Sequence, residues 1–286
     1  MNQIMKTILV PIDFTSATEN AAKTAADWAR QYEYQHIVLL KTAGESEFDY
    51  LHIAEGHSFV NEESINNLLK KTEMLFDHLS HMITEIAPDV KVSRILSDWA
   101  LTRSINEFLK DQPSVELIVL GSDDAASSHE SFVSGHIISI ARTSPVKTLI
   151  VPNSYHYSTI KNILIPCDIK GIKRLERLFH HKHIIHRQDI RLMFLNINTH
   201  KKNDIDDDRK RELEEYIQQH LTEIPSSTYY SHDEDVISGI LNFASGHDTD
   251  LIIALPGEHS FLYYLASRSI SEGIYQNTSQ PVLILK

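Results

Sequence analysis

The chain carries short, unbroken apolar runs separated by longer segments of helical periodicity. Ile8-Leu9-Val10, Leu117-Ile118-Val119-Leu120 and Leu149-Ile150-Val151 are such runs in the first half. Ile163-Leu164-Ile165, Leu251-Ile252-Ile253-Ala254 and Leu283-Ile284-Leu285 are their counterparts in the second. A strand with one wet face alternates polar and apolar residues, whereas a continuous run means both faces are covered, as in parallel strands flanked by helices. The pattern predicts strands near 6–10, 36–41, 90–96, 116–121 and 147–152, then near 161–166, 190–196, 225–231, 249–254 and 281–285. Helices are predicted near 18–31, 62–86, 98–110 and 134–143, and in the gaps of the second half. Each half reads as βαβ units of a doubly wound sheet.

The halves are copies. Lys6 to Val10 leads into Pro11-Ile12-Asp13, and Lys161 to Ile165 leads into Pro166-Cys167-Asp168. Asp13 and Asp168 lie 155 residues apart, but Leu117 and Leu251, like Leu149 and Leu283, lie 134 apart, so the second copy is 21 residues shorter. The expected fold is α/β, two tandem five-stranded parallel sheets, with domains 1–153 and 158–286. At 286 residues each half is long enough to bury its own core. Ala21, Ala22, Ala25, Ala26 and Ala29 give the first helix a small face for close packing, and Thr15 or Ser16 is the expected N-cap. The segment 43–61 lacks periodicity and reads as a loop or partial lid of the first copy.

Composition narrows the functional classes. With 42% hydrophobic and 23% charged residues and only 9 Gly and 9 Pro, long disordered tracts are not expected. The single cysteine, Cys167, and an N-terminus without a signal core point to the cytoplasm. No apolar stretch approaches the roughly 18 residues that span a bilayer. A net charge of −12, with basic runs broken by acids, argues against nucleic-acid binding by counterion release. His180, His181, His183 and His186 offer imidazoles at metal-binding spacing, but surface histidines are the stronger reading and no metal site is assigned. Cys167, at the end of a buried strand, reads as a core residue, and no G-x-S-x-G turn places a serine nucleophile. The run Phe261-Leu262-Tyr263-Tyr264-Leu265 reads as core or interface, with an apolar ligand pocket as the alternative.

Taken together, Ile8 to Phe14 (ILVPIDF), Leu117 to Ser122 (LIVLGS) and Thr148 to Pro152 (TLIVP) resemble the universal stress protein family, over the whole first copy and more weakly over the second. The resemblance implies the adenine nucleotide alpha hydrolase-like fold, the two domains packed as a pseudo-dimer through their final strands. In one branch it also implies bound ATP, with the first-strand Asp on adenine and a loop G-x2-G-x9-G-[ST] on the phosphates. Glycines there let backbone N–H groups approach an anion. Carried over, the nucleotide site is Pro11, Ile12, Asp13, Gly121, Ser122 and Gly135. The motif departs at its second glycine, which is Asp124, and at its third, which is Ser134 with Gly135 one residue on. A carboxylate about 4 Å from a phosphate opposes it by ~1 kcal/mol in water and ~4 kcal/mol at an effective dielectric of 20, unless Mg²⁺ bridges the two. In the second copy the glycine positions are Leu255, Glu258 and Arg268, with Ser269 kept, so Asp168 reads as a helix-start residue.

The expectation is a stress-response regulatory or ligand-sensing protein that is not an enzyme, with no or weak nucleotide binding. The alternatives are an ATP-binding switch, with Mg²⁺, using the first domain only, and a protein-interaction scaffold. The expected partners are an adenine nucleotide or other small ligand, a further protein, and a second copy of the chain.

Overall fold

The computed structural model describes residues 5–42, 62–123, 131–185, 187, 189–199, 207–255 and 279–286. The chain divides into two compact units, Met1–Ser144 and Pro145–Lys286. The first runs β1 (Thr7–Ile12), α1 (Ser16–Tyr32), β2 (His36–Thr42), α2 (Glu62–Ile86), β3 (Lys91–Ser97), α3 (Leu101–Asp111), β4 (Val115–Ser122) and α4 (Ile137–Thr143). Its strands lie in the order β3-β2-β1-β4 and pair in parallel. Every residue of β1 is buried, while β3, at the edge, has no fully buried residue. The chain leaves β1 toward β2 on one side and later enters β4 on the other. The C-terminal ends of β1 and β4 therefore form the switch point where open sheets of this kind hold ligands.

The alanines of α1 are the reason it lies close to this sheet. Ala17, Ala21, Ala22, Ala25, Ala26 and Ala29 are all buried, with the Trp28 ring tilted against Tyr32 at 4.4 Å between ring centroids. The helix ends on Glu33, whose left-handed backbone (φ 58°) returns its N–H to the Ala29 carbonyl.

The second unit holds β5 (Lys147–Pro152), β6 (Asn162–Pro166), β7 (Arg191–Asn198), β8 (Ser226–His232), β9 (Leu251–Ala254) and β10 (Val282–Ile284). Its helices are α5 (Glu176–His180), α6 (Lys182–Ile185), α7 (Asp207–His220) and α8 (Val236–Gly246). The strand order is β5-β10-β9-β6-β7-β8. All neighbours are parallel except β5 and β10, the two duplicated endings, which meet antiparallel with Leu149 opposite Leu283. That pairing places β5, which the repeat gives to the first copy, inside the second compact unit.

Asp168 stands at the start of a helical run, as expected, but of the 3-10 kind: Ile169–Leu175, kinked at Gly171, whose N–H donates to the Asp168 carbonyl at 2.8 Å. The helical material between β6 and β7 is broken into this run and the short α5 and α6, because Gly171 interrupts it and the apolar positions after it come in short clusters.

Candidate functional site

At the end of β1 the chain turns sharply into α1. Phe14 takes a left-handed conformation (φ 64°), uncommon for a residue with a side chain, and its ring meets Phe76 of α2 edge-on at 5.4 Å. The turn carries Asp13, whose carboxylate is filled from within the unit. Oδ1 accepts the Thr15 N–H at 3.1 Å, the Thr15 hydroxyl at 2.6 Å and the Thr18 hydroxyl at 2.9 Å. Oδ2 accepts the Ser131 hydroxyl at 2.8 Å and the Val133 N–H at 3.1 Å. Burial alone would raise the Asp13 pKa, but hydrogen bonds from Thr15, Val133 and Ser131 together outweigh it and hold the group below its ordinary value. Thr15 does occupy the N-cap position, yet it makes no side-chain cap; its hydroxyl is committed to Asp13.

A second ring of bonds lies behind the first. The Ser131 hydroxyl accepts the Ser134 N–H at 3.1 Å, and the Ser134 hydroxyl accepts the Asp123 N–H at 3.0 Å. The Asp123 carboxylate takes the Ser131 N–H at 3.3 Å. Asp13, Ser131, Ser134 and Asp123 thus join the end of β1 to the end of β4.

Among the residues read from the sequence, Asp13, Gly121 and Gly135 do converge on this spot. Gly135 donates its N–H to the Ser131 carbonyl at 3.4 Å. The surroundings of the two glycines differ. A Cβ on Gly121 would overlap the backbone carbonyl of Ala17 and lie 2.9 Å from the Thr18 nitrogen, so this glycine is needed for α1 to rest on β4. Gly135 has open space around it. Pro11, Ile12 and Ser122 are buried within their strands. Asp124 lies outside the described residues, as do His186, Glu258, Arg268, Ser269, the run 261–265 and the whole of 43–61. Thr15, Thr18, Asp123, Ser131, Val133 and Ser134 were missed as site residues. The spacing Asp13-x-Thr15-x-x-Thr18 was the one available signal, since hydroxyls two and five residues past a strand-end Asp can turn back on it.

Other reactive groups are muted. Burial, with the Asp168 charge beside it, pushes the Cys167 thiol up to about 12. His36 and Ser93 form a hydroxyl–imidazole pair at 2.8 Å at the opposite end of the strands, but the other ring nitrogen faces the Thr7 hydroxyl at 3.4 Å and no carboxylate. Among the described residues no three His, Cys, Asp or Glu side chains are grouped to hold a metal, and no helix is long and apolar enough to cross a membrane.

No protein-family model matches the sequence, and no curated protein matches it. Solved structures do. A universal stress protein from Archaeoglobus fulgidus superposes with a TM-score of 0.67 at 15% identity, covering 98% of this chain and 96% of that one. The chain has the universal stress protein fold. A functionally unknown protein from Pseudomonas aeruginosa PAO1 shares it at a TM-score of 0.55 and 15% identity, over 99% of this chain and 92% of that one. So does the cytoplasmic domain of a prokaryotic cation chloride cotransporter, at 0.50 and 12% identity, over 98% and 94%. The universal stress protein fold therefore serves proteins of different descriptions, and function has to be argued from the site.

Proposed function

We propose that the chain is a regulatory or ligand-sensing protein of the stress response, without catalytic machinery of its own, whose first unit binds adenine nucleotide weakly or not at all. The observation that supports this is the filling of Asp13. A carboxylate offers about four lone-pair sites, and this one already accepts five hydrogen bonds from its own unit. An adenine amino group would have to displace one of them. Gly121 is accounted for by helix packing and Gly135 by a turn, so neither glycine argues for a phosphate. A thiol pushed up to about 12 is protonated at neutral pH and suits a nucleophile poorly.

The test is mass spectrometry of small molecules released on denaturation, with calorimetric titration of ATP in Mg²⁺ and in chelator. The expected results are no stoichiometric nucleotide and a Kd weaker than about 100 μM; stoichiometric ATP, or micromolar binding, defeats the reading. Asp168→Ala should leave whatever affinity is measured unchanged. A scaffold reading has its own support at the end of β3, where Leu96 and Trp99 are about half exposed and the Arg103 guanidinium lies 4.1 Å over the Trp99 ring. Trp and Arg are frequent interface anchors. Self-association through that spot would show in sedimentation velocity as a dimer that Trp99→Ala dissociates.

A further inference from the structure

The two oxygens of Asp13 are held in different ways. Oδ1 takes its bonds from residues two and five positions on, so they form as the β1–α1 turn forms. Oδ2 takes both of its bonds from 118 and 120 residues away. Those two close only when the stretch 131–136 lies down on the strand ends, at a cost in loop entropy that the contacts must offset. Ser131 is the hub of that stretch: it donates to Asp13 through its hydroxyl, accepts from Ser134, and donates its N–H to Asp123. Bonds linked through one residue break together.

We propose that residues 131–136 are a self-inhibitory clasp on the ligand edge of the first unit, in which Ser131 and Val133 occupy the Asp13 oxygen that an incoming N–H or O–H donor would use. A ligand binds by taking their place and releasing the segment. The inference rests on the ligand-sensing reading above and adds to it the chemistry of the ligand and the form of the response. The ligand presents a donor edge, because an ionised carboxylate only accepts. The response is a moving surface element. His136 Nδ1 bonds the Phe132 carbonyl at 2.9 Å with the two rings 4.4 Å apart, so an aromatic–imidazole pair moves with the segment, and the turn Ser134–His136 runs directly into α4. Coupling of this kind is reciprocal: whatever loosens 131–136 must tighten the ligand.

The experiment uses the full chain as wild type, Ser131→Ala and Ser134→Ala. Hydrogen exchange of peptides covering 131–136 is followed without ligand, and adenosine, a donor edge without phosphates, is then titrated alongside MgATP. In Ser131→Ala the amides of Val133 to Gly135 should exchange about tenfold faster while β1 and β4 are unchanged, and adenosine should bind about tenfold tighter. Ser134→Ala should move both readouts the same way by less. Unchanged exchange in both variants overturns the clasp, whatever binds. Equal adenosine affinity in wild type and Ser131→Ala overturns the occlusion. Failure of adenosine and ATP to bind any of the three proteins overturns the ligand half of the proposal, while faster exchange would still support the clasp itself. Micromolar ATP binding by the wild type refutes the weak-binding reading and leaves the exchange result standing on its own.

Discussion

Replacing Asp13 with alanine removes one acceptor from five donors, and the size of the effect follows from where those donors can go. The Thr15 and Thr18 groups are local and have substitutes: the Thr18 hydroxyl already lies 3.2 Å from the Thr15 carbonyl, and Thr15 is partly exposed to water. Ser131 and Val133 are buried, so water does not readily take the place of the Asp13 carboxylate for them. A hydrogen bond to a charged group contributes about 1.5–3 kcal/mol, so two give about 3–6 kcal/mol; partial access of water to the turn brings the expected loss to about 3 kcal/mol. Asp13→Asn keeps the shape but opposes an amide NH₂ to one set of donors, and should cost about 2 kcal/mol. The pH dependence has a definite sign. The folded-state pKa is depressed, so the unfolded chain holds the proton more tightly; the stabilisation is present above the unfolded value of 3.8 and is lost as pH falls below it. The assay is urea unfolding followed by tryptophan fluorescence, because the only two tryptophans, Trp28 and Trp99, both lie in the first unit. A loss under about 1 kcal/mol for Asp13→Ala at pH 7, or an acid limb identical in wild type and Asp13→Asn, would refute the reasoning.

The two glycines separate a packing role from a phosphate-binding one. Gly121→Ala should destabilise by about 2–3 kcal/mol, since its methyl would meet the backbone of α1, whereas Gly135→Ala should stay within about 0.5 kcal/mol; denaturation midpoints decide, and the reverse order would contradict the geometry. Thr148 buries a hydroxyl with no partner among the described residues, so Thr148→Val should stabilise by about 1 kcal/mol in thermal unfolding. Burial, with the charge of Lys91, lowers the His36 pKa, so the folded chain resists protonation. Stability should decline as pH drops below about 6.5, and His36→Gln should flatten that decline.

The central strands were legible because parallel strands covered on both faces read as continuous apolar runs. All ten strands fall within a residue or two of their predicted positions. The helices of the second half were harder to read: Lys170 to Ile185 has the composition of a helix, but Gly171 breaks it, and helical propensity alone does not say where the pieces fall. At the site, Asp13 stood out by its place after a strand, while its partners did not. Ser131 and Val133 lie more than a hundred residues away, and a serine hydroxyl and a backbone N–H belong to no motif. The glycine pattern drew attention to Gly121, where the missing Cβ permits the close approach of the Ala17 carbonyl, a contact no motif announces.

The antiparallel pairing of β5 with β10 bears on how such a gene can be cut. The repeat in the sequence ends after β5, near residue 153, yet the ladder that holds β5 runs to Leu149 and Ile150 from Leu283 and Val282. A fragment ending at 153 would carry away a strand that the second half needs, and a fragment starting at 158 would begin life with the edge of β10 bare and free to recruit a stranger. Duplication and compactness therefore draw their borders in different places: the repeat ends after β5, whereas the compact units divide between Ser144 and Pro145, ahead of it.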